Sequence, residues 1–149
     1  MKPVLQTKHK TDTQNGNCMA SCYASIFELP IDAVPAYENL FVTDGPQPWV
    51  SWLRRFLKGW DLMQLDYDDH FQLDAYYNAG GLSPRATTED TFEHAVIYRG
   101  GKLVHDPHPS GDGILSETYF SYLVPIDYTG NPCSLIGPHG YWEPLLKNV

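Results

Sequence analysis

Apolar residues recur at helical spacing early in this chain and at strand spacing later, and that order limits the fold more than any other feature. Cys18, Cys22, Ile26 and Leu29 follow three- and four-residue steps, the mark of one helix face. Asn17 stands where an N-cap belongs, so the spacing predicts a helix from Cys18 to about Glu28, punctuated by Pro30. Residues 31 to 34 allow one further helical turn before Pro35, and residues 36 to 46 read as irregular. Trp49, Trp52, Leu53, Phe56 and Leu57 predict a second helix from Pro48 to Lys58 with a core-facing stripe, stopped at Gly59. Strand patterns cover residues 3 to 7, 60 to 66, 73 to 79, 93 to 99, 102 to 106 and 119 to 127, with a polar loop over residues 8 to 17. The tail from Gly130 to Val149 carries no clear signal. Helices followed by strands define an α+β domain, with the first helix packed on an antiparallel sheet.

The length of 149 residues suits a single domain spanning 1–149, and 42% apolar against 19% charged residues is enough to bury a core. A formal charge of −8 repels a phosphate backbone, which argues against nucleic acid as a partner. The opening Met1-Lys2-Pro3-Val4-Leu5-Gln6 lacks the apolar stretch of a signal peptide, and no run approaches the ~20 apolar residues of a membrane span. The expectation is a cytoplasmic protein with no membrane partner. Three cysteines, Cys18, Cys22 and Cys133, are an odd number, so at least one thiol is expected to be free.

The chemistry-bearing residues stand far apart. Asn15-Gly16-Asn17 turns the chain straight into Cys18 at a helix start, where a thiolate is favoured. A free thiol titrates near ~8.5, so holding it ionised at neutral pH needs roughly 2.7 kcal/mol. An exposed helix terminus supplies only ~0.3–1 kcal/mol of that. A nearby imidazolium can provide much of the remainder, and His94, at the start of the apolar run Ala95-Val96-Ile97-Tyr98, is the best candidate. Asp106 lies twelve residues later, across Arg99-Gly100-Gly101-Lys102. An even separation favours a three-residue loop of Arg99, Gly100 and Gly101, with Gly101 left-handed, and sets His94 and Asp106 face to face. The carboxylate would then hold the imidazole by its second nitrogen.

Gly16-Asn17-Cys18, the His94 strand and Asp106-Pro107 together resemble the papain-like cysteine peptidase superfamily, particularly the peptidase domains that cut bacteriocin leaders after a double glycine. The whole chain is similar to a group of small phage and bacterial proteins that begin Pro-Val-x-Gln-Thr, continue Gly-Asn-Cys-x-x-x-Cys-x-Ala-Ser, and carry His-Asp-Pro-His-Pro-Ser. The specific parts are the Cys helix and the hairpin, about a third of the sequence. The resemblance implies a papain-like fold and a Gln ahead of the nucleophile that helps form the oxyanion hole. It points to Gln6, at the end of Pro3-Val4-Leu5, although twelve residues to Cys18 exceed the usual gap; Gln14, four residues away, is the alternative. A double-glycine cutter has Gly directly after its Cys, where this chain has Met19.

The function expected is a cofactor-free thiol hydrolase or acyl-transfer enzyme acting on a peptide or protein substrate, at a peptide, isopeptide or side-chain amide bond. Cys22 is read as core and Cys133 as an incidental thiol. Gly80-Gly81-Leu82-Ser83-Pro84-Arg85 is read as a flexible loop, whose Arg85 is either solvated or paired with an anionic substrate group. His105 and His108 bracket Asp106 and, with His94 or Cys18, are the residue types that hold zinc. A metal-dependent hydrolase is thus one rival, and a non-enzymatic phage or host protein-binding module on the same scaffold is another.

Overall fold

A computed structural model describes residues 1–36, 38, 60–66 and 74–125, with residues 60–66 and 123–125 taken as backbone alone. The expected helix from Pro48 to Lys58, Cys133 and the tail from Gly130 lie outside the described residues. Helix α1 spans Cys18–Phe27 and a 3-10 turn Ile31–Ala33 follows it. The strands are β1 (Trp60–Asp66), β2 (Tyr76–Leu82), β3 (Glu93–Arg99), β4 (Lys102–His105) and β5 (Glu117–Pro125). Among the described residues all pairings are antiparallel, and the sheet of five strands runs β1-β5-β2-β3-β4.

Helix α1 is buried around its whole circumference from Ala20 to Phe27, not on the single face its spacing suggests. Two serines make that possible. Ser21 Oγ donates to the Asn17 carbonyl at 3.1 Å and Ser25 Oγ to the Ser21 carbonyl at 2.7 Å. Their hydroxyls are thus satisfied by the helix itself and carry no desolvation penalty into the core. The helix ends with Glu28 in the left-handed conformation at φ 58°. Leu29 N donates to Ala24 O and Glu28 N to Ser25 O, the Schellman pattern that closes the last carbonyls.

Residues 3–7 do not form the expected strand. Lys2 N and Val4 N donate to the carbonyl and hydroxyl of Ser25, and Gln6 N donates to Pro107 O. Alternate amides along the segment, those of Lys2, Val4 and Gln6, find partners, as they would in a strand. Its partners, however, are a helix, a turn and side chains, so no ladder forms.

On one face of the sheet Ala95 and Ile97 pack with Tyr23, Ile26 and Phe27 of α1. Burial of each such large side chain contributes about 1.5–3 kcal/mol. On the other face Tyr77, Ala79, Val96, Phe120 and Tyr122 form a second cluster. There the Tyr77 ring lies 5.1 Å from Phe120 and 4.7 Å from Tyr122.

Two corrections concern glycines. The β3–β4 turn is not a three-residue loop: Arg99 pairs with Lys102, and Gly100 and Gly101 have φ of 56° and 74°. That is a two-residue turn with both central residues left-handed, a type I′ hairpin. The even separation of His94 and Asp106 is restored by a bulge instead. Tyr98 faces Leu103 while Ile97 faces His105, so Val104 is the extra residue. Likewise Gly80 and Gly81 belong to strand β2, not to a loop. A Cβ on Gly81 would stand 1.9 Å from the Ser116 carbonyl oxygen, so β2 and β5 can approach there only without a side chain.

Candidate active site

Cys18 is the first residue of α1 and a half-buried free thiol. The turn before it is held by Asn17, but not as a helix cap. Asn17 Oδ1 accepts from Thr7 N at 3.1 Å and Lys8 N at 2.9 Å, and its Nδ2 donates to Thr7 Oγ1 at 3.0 Å. One amide oxygen cannot serve those two donors and also reach into its own first turn, so no side-chain cap bond forms. The consequence is positional: Asn17 ties residues 6 to 8 beside the thiol. Cys22, one turn deeper, is fully buried, and burial, with the charges of Cys18 and Asp106, pushes its thiol pKa well up. It is inert core sulfur.

His94 is the second residue of β3 and Asp106 directly follows β4. His94 Nε2 stands 2.7 Å from Asp106 Oδ1, with the two side chains 4% and 3% exposed. The carboxylate is fixed independently of the ring, because His108 N donates to Oδ1 at 2.7 Å and Gly113 N to Oδ2 at 2.8 Å. Burial opposes ionisation of Asp106, yet these three donors hold its pKa below the usual carboxylate value. Burial also works against a charged His94. The hydrogen bond to Asp106, the neighbouring Cys18 sulfur and the negative charges of both outweigh it, and the ring's pKa is raised to about 8. With Nε2 committed to Asp106, Nδ1 is the nitrogen left for the sulfur.

A pocket of about 700 Å³ opens over these groups, and Gln6, His9, Cys18, His94, His108 and Tyr119 are among its walls. Gln6 is buried, and its Nε2 donates to Lys8 O at 3.0 Å and meets His9 Nδ1 at 3.0 Å. The Lys8 carbonyl fixes which end of the amide is nitrogen. Gln14 is not part of the pocket wall; its Nε2 donates to His9 O at an exposed position. Arg85 also lines the pocket, but its Nη1 bonds Ser110 Oγ at 3.2 Å and lies 4.0 Å from Asp112.

The three histidines of the metal reading are not gathered. His105 Nε2 turns to Val4 O at 3.0 Å. His108 Nδ1 accepts from Ser110 N at 3.1 Å, and its ring sits edge-on to His94 with centroids 6.3 Å apart. Among the described residues no group of three His, Cys, Asp or Glu side chains is arranged to hold a metal ion. The His108 pKa is lowered, first by burial and then by the charges of Arg85 and His9. A neutral His108 then carries its proton on Nε2, since Nδ1 is accepting.

Two pocket residues, His9 and Tyr119, escape the sequence reading. His9 sits in a polar loop with no periodic signal. Tyr119 was marked only by small residues on neighbouring strands, Gly80 and Ala95. Among the described residues no helix is long and apolar enough to cross a membrane. No family model, curated protein or solved structure matches the chain.

Proposed function

We propose that this protein is a papain-like thiol hydrolase or acyl-transfer enzyme acting on a peptide, isopeptide or side-chain amide bond of a peptide or protein substrate. The observation that carries the reading is the grouping of Cys18, His94 and Asp106: a half-buried free thiol that shares a pocket with an imidazole, whose Nε2 is held 2.7 Å from a buried carboxylate. His94 Nδ1 takes the thiol proton, and the sulfur attacks the substrate carbonyl. The imidazolium returns the proton to the leaving amine, which departs and leaves an acyl-thioester on Cys18. Water or a second amine, deprotonated by His94, then releases the acyl group. Asp106 keeps the ring oriented and stabilises its charge.

Gln6 is the side-chain donor for the oxyanion, together with backbone amide at the helix start. Both Gln6 N–H groups are engaged, one by a backbone carbonyl and one by the His9 ring. Substrate entry therefore displaces His9, whose side chain can swing, and the freed N–H turns to the oxygen. Cys18 and Cys22 are both free thiols, which fits a reducing compartment, and we place the enzyme in the cytoplasm of a bacterial or phage-infected cell.

Intact-mass measurement after iodoacetamide treatment tests this reading. Wild type gains one adduct quickly, Cys18→Ala loses that fast adduct, and Cys22→Ala keeps it. Labelling of Cys18 no faster than a small free thiol would favour a binding module without catalysis.

A further inference from the structure

We propose that the Tyr119 hydroxyl is a substrate-binding donor of this site, taking a backbone carbonyl oxygen of a peptide laid along the sheet side of Cys18. The inference rests on the thiol-enzyme reading and adds to it a residue that fixes how substrate lies.

Three strands cooperate to put this hydroxyl in place. Tyr119 on β5 pairs with Gly80 on β2, and Gly80 pairs with Ala95 on β3. A Cβ on Gly80 would fall 2.2 Å from Tyr119 Cζ and 2.5 Å from its hydroxyl oxygen. The phenol therefore lies across the glycine, on the face where Ala95 packs under α1. Any larger residue at position 80 would block it. The ring ends in the wall of the pocket that also contains Cys18, Glu93, His94 and Ala95.

Among the described residues the hydroxyl has no hydrogen-bond partner. Tyr77 Oη accepts from Gly101 N at 3.1 Å and Tyr98 Oη donates to Glu117 at 3.1 Å. No described residue hydrogen-bonds the Tyr119 hydroxyl. Burial first, then the charges of Glu93, Cys18 and Cys22, raise its pKa far above neutrality, so it keeps its proton and is a donor. The carboxylate of Glu93 on the same wall makes an anionic acceptor unwelcome and favours a neutral carbonyl. Glu93, exposed on the same pocket wall, supplies the complementary acceptor for a peptide N–H. A donor and an acceptor lining one pocket with a nucleophile match the two polar groups of a peptide unit.

Tyr119→Phe removes the hydroxyl and keeps the ring. The test compares rates of Cys18 modification, read by intact mass, for iodoacetamide and for a panel of acetyl-dipeptidyl vinyl sulfones. In Tyr119→Phe the peptidyl probes are expected to slow by about three- to tenfold, the value of one hydrogen bond, with iodoacetamide unchanged. Unchanged rates for both reagents, or an equal loss for both, would overturn the assignment while leaving the thiol enzyme intact. Fast iodoacetamide labelling of wild type with no reaction from any peptidyl probe would overturn it too, since no peptide is then taken. Wild-type Cys18 that reacts with neither reagent faster than a small free thiol would remove the thiol-enzyme reading itself, and this inference with it.

Discussion

His94 and Asp106 are joined by a 2.7 Å hydrogen bond across a two-glycine turn, and the carboxylate takes two backbone amides besides the ring. The pair is linked to pH through both partners. The folded pKa of His94 is about 8 against an ordinary 6.5, so the ring gains protons on folding. Its contribution, on the order of 2 kcal/mol, is complete below about pH 6.5 and fades as pH rises through about 8. Asp106 has the opposite sign: its folded pKa is lowered, so its contribution holds above the ordinary carboxylate value and is lost as pH falls through the lowered one. Urea unfolding of wild type and His94→Gln at pH 6 and pH 9 separates these effects. The stability gap between the two proteins is expected to be larger at pH 6, and a gap independent of pH would refute the linkage.

Asn17 holds the segment that carries Gln6. Asn17→Ala strands the Thr7 and Lys8 amides and is expected to cost about 1–3 kcal/mol. Asn17→Asp keeps both amide bonds, and Thr7 Oγ1 can donate in place of accepting, so most of that loss should be recovered. Chemical denaturation midpoints of the two variants decide it. Equal losses would mean that the side chain does not tie the segment down.

Gln6→Ala separates oxyanion stabilisation from thiol activation. Turnover of an amide substrate should fall by about 10²–10³-fold, while the iodoacetamide rate at Cys18 stays near wild type because alkylation has no oxyanion. A parallel fall in both would assign Gln6 to shaping the loop.

The glycines are expected to differ sharply. Gly81→Ala drives a methyl group into the Ser116 carbonyl and should cost more than about 3 kcal/mol, as overpacking against backbone does. Gly100 has a positive φ and open space around it. Asn is favoured at the first position of a type I′ turn, so Gly100→Asn should change stability by less than about 0.5 kcal/mol. Thermal melts of the two variants give the comparison directly.

Much of the α+β plan was legible because local pattern determines it. Strands β1 and β3 run over residues 60–66 and 93–99, the bounds their alternation predicts. Helix α1 starts at Cys18 and ends one residue before the predicted Glu28. Cys18, His94 and Gln6 share a pocket that no stretch of sequence contains; residue type and order point to Cys18 and His94, and the family resemblance points to Gln6. What escaped the sequence depends on contacts between distant segments. Gly80 and Gly81 look like a turn locally, whereas their cause is the Tyr119 ring and the Ser116 carbonyl on another strand. Asn17 looks like a cap, since nothing nearby reveals that Thr7 and Lys8 compete for its oxygen. The parity of His94 and Asp106 was readable, but a bulge at Val104 and a wider loop give the same parity, and spacing does not choose between them.

The amides of His108 and Gly113 grip the Asp106 carboxylate whether or not an imidazole sits beside it. Excision of the ring, as in His94→Gly, would leave an anchored anion facing a vacated slot shaped for a flat heterocycle. Imidazole dissolved in the buffer is the natural guest for such a mould. The scaffold therefore remembers the orientation of its base after the base is gone.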